Sequence, residues 1–142
     1  MKVGFTGTRE GMTQAQRDAF RRTIRALDVT EFHHGDCVGA DAEAHDEVRQ
    51  WCPDARIFVH PPVDATHRAG RLGDEQREPL THFARNRRIV LACDVILGAS
   101  LTPERTERGG TWYTLDFAFK VGKLVQVHWP DGTVTPHPKD VR

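Results

Sequence analysis

Three short stretches of this 142-residue chain combine glycine with groups that suit a phosphate. The first is Gly7-Thr8-Arg9-Glu10-Gly11. A glycine lets the backbone come close to a phosphate oxygen, and a hydroxyl and a guanidinium can donate to it. The second is Gly35-Asp36-Cys37-Val38-Gly39-Ala40-Asp41, followed by His45. The third is Arg108-Gly109-Gly110-Thr111, with Thr114 one turn further on. The last two lie just before helix-like segments, where free N–H groups and the helix dipole favour an anion. None is a GxGxxG or Walker loop, and each alone also fits an ordinary turn or cap. Their placement on one edge of one sheet is what points to a phosphate-bearing ligand.

Further donors and acids lie nearby in sequence. Arg85-Asn86-Arg87-Arg88 opens a helix-like segment. Helical spacing turns these arginines to different faces, so Arg85 or Asn86 reaches the ligand while others stay solvated. Asp36, Asp41 and Arg85 are the candidate catalytic groups. Arg68 and Arg71 lie in a long Pro- and Gly-bearing connection, residues 61–80, which reads either as a lid over an anion or as a mobile loop. No metal is expected: His33 and His34 are adjacent on a strand and point to opposite faces, and no HxH, HExxH or CxxC spacing occurs. Ser100 lies outside any G-x-S-x-G elbow. Cys37, near a helix start, reads better as a bystander than as an activated thiol.

The elements that must hold these loops alternate along the chain. Lys2–Thr6, Val29–His33, Arg56–His60, Asp94–Leu97 and Leu124–His128 read as strands. Thr13 and Gln16 form a capping box for a first helix to about Leu27. Asp41 and Thr81 cap the second and third, and Gly122 stops a fourth that begins near Thr111. The fold class is therefore α/β: a Rossmann-like three-layer sandwich with an about five-stranded, mostly parallel sheet and helices on both faces. Residues 1–129 form this domain, and 130–142 a short C-terminal hairpin or tail. Twenty basic and twenty acidic residues cancel, which argues against a strongly basic nucleic-acid protein. Three scattered cysteines and the lack of a leader or long apolar run lead us to expect a cytoplasmic chain without a membrane partner.

The runs Val3–Arg9 and His34–His45 resemble the DNA-processing protein A (SMF) proteins. Arg85–Val90, Asp94–Leu97 and Arg108–Thr114 are similar to the lysine-decarboxylase-like LOG proteins. Both belong to the SLOG superfamily of Rossmann-like domains, and the resemblance covers roughly residues 2–128. It implies a nucleotide-type ligand over the sheet edge and pairing of copies into a homodimer. LOG proteins are phosphoribohydrolases whose GGxGTxxE signature carries a catalytic glutamate beside an arginine. Here Arg85 or Arg88 matches the arginine, while Thr114 stands at the glutamate position. The leading expectation is thus a sensor or carrier of a nucleotide-derived phosphate ligand, with no cofactor. The alternatives are an N-glycosidic hydrolase or transferase and, after the DNA-processing proteins, a single-stranded DNA-binding module. For stacking on a base, Trp112 and Tyr113 are the candidates, with core packing as the other reading.

Overall fold

The computed structural model describes residues 1–106 and 109–139. Strand β1 (Lys2–Gly7) alternates, sending Val3 and Phe5 to one face of the sheet. Helix α1 (Gln14–Ala26) begins at the capping box: the Thr13 hydroxyl accepts from the Gln16 amide, and the Gln16 side chain accepts from the Thr13 N–H. Then follow β2 (Glu31–His34), α2 (Ala40–Trp51), β3 (Arg56–Val59), β4 (Glu75–Gln76) and α3 (His82–Ala92). The chain ends with β5 (Val95–Ala99), α4 (Gly110–Lys120), β6 (Leu124–His128) and β7 (Val134–Pro136).

The sheet has seven strands in the order β4-β3-β2-β1-β5-β6-β7. All neighbours pair in parallel except β6 and β7. Two strands exceed the expected number, for physical reasons. β4 is two polar residues inside the long connection, and β7 is three residues in a polar, Pro-rich tail. Neither carries the alternation by which a strand is read from sequence. β2 and β5 also run further towards their carboxyl ends than expected, to His34 and Ala99.

One face of the sheet carries α1 and α2, the other α3 and α4. On the first, Phe5, Phe20 and Phe32 pack ring against ring with centroids 5.2–6.2 Å apart, joined by Ile24, Val48, Ile57 and Leu97. On the second, Ile96, Val125 and Val127 meet Val90, Trp112, Leu115 and Trp129. Trp112 lies 5.7 Å from Trp129 and 5.5 Å from His137, ring to ring, and is packed into this second core. The chain runs outward from β1 to β4, then returns to place β5 on the other side of β1. That reversal opens a crevice above the carboxyl ends of β1 and β5.

Gln16 fastens that edge. It is almost fully buried, and its amide donates to the carbonyls of Ser100 at 2.8 Å and His128 at 2.7 Å, just past β5 and at the end of β6. Replacing it by leucine leaves both carbonyls without this donor. Gln16→Leu is expected to cost about 2–4 kcal/mol of unfolding free energy in urea titration. A cost below about 0.5 kcal/mol, the usual surface value, would refute this reading.

Candidate functional site

A cleft of about 610 Å³ lies over the crevice. Gly7, Thr8 and Arg9 reach it from the end of β1, and Gly35 and Asp41 from the β2–α2 turn. Arg85 and Asn86 form part of its wall from α3, and Gly109, Gly110 and Thr111 from the start of α4. The three glycine loops and the helix arginine thus meet in one place. Arg108 lies outside the described residues.

Three candidates do not line the cleft. Asp36 is fully buried with φ 56° and faces the long connection. It accepts from Arg68 Nε at 3.3 Å and from the backbone N–H groups of Gly70 and Arg71 at 3.2 and 2.9 Å. Residues 68–71 of the long connection are therefore held against Asp36. Arg68 is held by Asp36, and Arg71 makes a two-pronged pair with Asp46 at 3.0 and 2.8 Å. Gly39 is the N-cap of α2, with its Cα against the carbonyls of Arg9 and Thr8. Asp41 is thus not the cap. Thr114 is buried in α4 and donates its hydroxyl to the Gly110 carbonyl at 2.7 Å.

Arg85 sits in the wall, 4 % exposed. Its Nη1 donates to the carbonyls of Gly35 at 2.6 Å and His60 at 3.1 Å, and its Nε to Asn86 Oδ1 at 2.6 Å. Among the described residues, its Nη2 has two long contacts, His82 Nδ1 at 3.4 Å and Cys37 Sγ at 3.9 Å. Among the described residues, no carboxylate forms an ion pair with it. Gly35 makes this seat possible: a Cβ there would stand 2.2 Å from Arg85 Nη1. Opposite, α4 begins after its N-cap Gly109, where φ is 114°, and among the described residues no side chain caps the helix. The first amides of a helix lack an intrahelical partner and suit an anion.

Asp41 brings a carboxyl to the same cavity. Its Oδ2 accepts from the N–H groups of Gly35 and Cys37, both at 3.2 Å. Its Oδ1 is buried and has no hydrogen-bond partner among the described residues. Burial raises its pKa from 3.8 to about 6, against the pull of Arg85 and the two N–H groups. Burial, with Asp41 adding to it, also pushes the Cys37 thiol up, so Cys37 is no activated nucleophile. The nearby imidazoles stay neutral. His34 is held well below its ordinary value by burial. It accepts from the Asp36 N–H, which leaves its other nitrogen to donate to His45 Nδ1 at 2.9 Å. His33 instead bonds Glu31 and His60.

Phe83 and Leu101 were not singled out from the sequence, yet both line the cleft and are more than half exposed. The available signal is that Phe83 lies off the buried stripe of α3, two residues before Arg85. Tyr113 accepts from Arg87 Nε at 2.8 Å and packs on Phe83 at 4.4 Å between centroids.

No protein-family model matches the chain, and no curated protein matches it significantly. Three solved structures share its fold. DNA processing protein A from Streptococcus pneumoniae aligns over 89 % of this chain and 49 % of its own, with TM-score 0.65 and 19 % identity. The molybdenum cofactor binding protein from Rippkaea orientalis aligns over 89 % and 76 %, with TM-score 0.66 and 20 % identity. A structural-genomics target aligns over 88 % and 72 %, with TM-score 0.62 and 18 % identity. At 18–20 % identity, what these structures share with the chain is the α/β, Rossmann-like fold. The chain spans about half the length of the DNA-processing protein.

The Asp41 carboxyl holds its proton more firmly in the folded chain than in the unfolded one. The stability tied to it is complete below its unfolded pKa and is lost as pH rises through about 6. Asp41→Asn keeps an oxygen for the two N–H groups and removes the charge. Its stability relative to the parent is expected to rise by on the order of 2–3 kcal/mol between pH 4 and pH 7. Urea titrations at the two pH values test this, and a pH-independent difference would contradict it.

Proposed function

We propose that the cleft binds a nucleotide or nucleotide-derived phosphate ligand, and that the chain acts as its sensor or carrier. Arg85 is the observation that carries this reading. A guanidinium removed from water costs several kcal/mol unless an opposite charge meets it. Among the described residues, Arg85 has carbonyl and amide oxygens for its short contacts, and its Nη2 has just the long contacts to His82 and Cys37, both of them cleft-lining residues. A phosphate there would be met by the guanidinium from α3 and by the open amides of α4 at Gly110 and Thr111. Asn86, bonded to Arg85 and close to Gly110, joins the two sides. The neighbours' names fit a ligand-binding role, one of them being a molybdenum cofactor binding protein.

Thr114 supports binding rather than turnover. It stands where the LOG signature carries glutamate, and its hydroxyl is engaged by the helix backbone. One observation favours the second reading, N-glycosidic hydrolysis or transfer. Asp41, with a pKa of about 6 and a bare Oδ1, is suited to exchange a proton near neutral pH. Asp36 is already occupied by the long connection.

Thermal denaturation with AMP, NAD and ADP-ribose, alongside chromatography for free base, separates the readings. At a ligand concentration of about 100 times Kd, stabilisation of about 2.7 kcal/mol is expected, a rise of roughly 5–10 °C in Tm. No base should appear. Gly110→Val directs a side chain into open space, nearest Asn86 at 3.8 Å, so the fold is kept while the phosphate seat is filled. That variant is expected to lose the shift. Base release abolished by Asp41→Asn would establish the hydrolase reading instead. An unshifted parent protein, with steeply salt-dependent oligonucleotide binding, would favour a DNA module.

A further inference from the structure

Phe83 stands at the cleft wall with 56 % of its surface exposed, and Leu101, on the β5–α4 connection, with 54 %. Exposed Leu91 and Leu124 do not line the cleft; these two residues do. Phe83 is also backed. The Tyr113 ring lies 4.4 Å away at an angle of 55°. Tyr113 is fixed in turn by Arg87, whose Nε donates to its hydroxyl and whose guanidinium lies 5.8 Å from its ring and 5.3 Å from that of Phe117. A ring supported from behind and bare in front is a preorganised stacking surface.

We infer that Phe83 and Leu101 form an apolar slot for a planar heteroaromatic ring, and that Phe83 determines specificity for ligands carrying one. The inference rests on the phosphate reading of the same cleft and narrows it. The polar wall of Arg85, Gly110 and Thr111 takes the phosphate, and the apolar wall takes the base. A ring-bearing phosphate is thereby selected over a sugar phosphate or free phosphate. Stacking reads a π-face and not a hydrogen-bond pattern, so the slot discriminates ring from no ring more strongly than one base from another.

Calorimetric titration of AMP, ribose 5-phosphate and adenosine into the parent protein, Phe83→Ala and Phe83→Trp tests the slot. Phe83 is on the surface, so both variants are expected to fold. AMP should bind the parent roughly tenfold more tightly than ribose 5-phosphate, the size of one base–aromatic stack. Phe83→Ala should close that gap by weakening AMP alone, and Phe83→Trp should keep it. Equal affinities in the parent, or a gap that survives Phe83→Ala, would overturn the slot and leave the phosphate reading standing. If neither phosphate ligand binds, the phosphate reading fails and adenosine decides: binding that depends on Phe83 upholds the slot, and its absence overturns it.

Discussion

The guanidinium of Arg85, buried against the turn that follows β2, is the contact on which the rest of the site depends. It crosses from α3 to the carboxyl ends of two neighbouring strands, taking the carbonyls of Gly35 and His60. Only a residue without a Cβ at position 35 leaves room for it. The same turn gives two N–H groups to Asp41. Cation, turn and carboxyl therefore form one unit, and moving any of them displaces the others. This unit lies where the strand order reverses, which is where an α/β sheet leaves a crevice to be filled.

Around that unit the chain spends polar groups on holding shape. Asp36 holds residues 68–71 of the connection between β3 and α3, and Gln16 clamps the ends of β5 and β6. The neighbouring histidines are kept neutral by burial, with Arg85 adding to the effect at His34 and His60. Arg85 Nη2, with its long contacts to His82 and Cys37, stands amid imidazoles that burial keeps neutral, and the Asp41 carboxyl belongs to the same unit with a raised pKa.

Much of this was legible in the sequence. The capping box at Thr13 and Gln16 and the alternation of strand with helix fix the order of elements. The glycine loops gather because parallel strands present every loop of one kind at one edge. Other features were not legible for local reasons. β4 and β7 are held by pairing to neighbours, not by their own apolar pattern. Asp36 and Asp41 look alike in a list of acids. Only the left-handed turn at Asp36 shows that one faces the long connection and the other the cavity. Trp112 appears available for stacking until β6 and the tail bring Trp129 and His137 against it. Phe83 has no motif around it, and its meaning comes from the cleft beside it.

On the proposed reading, Arg85 meets the phosphate of a ligand. The most direct measurement is a crystal structure of the protein grown with AMP. Phosphate density is expected within hydrogen-bond distance of Arg85 Nη2 and of the Gly110 and Thr111 amides. AMP bound with its phosphate elsewhere, and Arg85 Nη2 untouched, would contradict that reading.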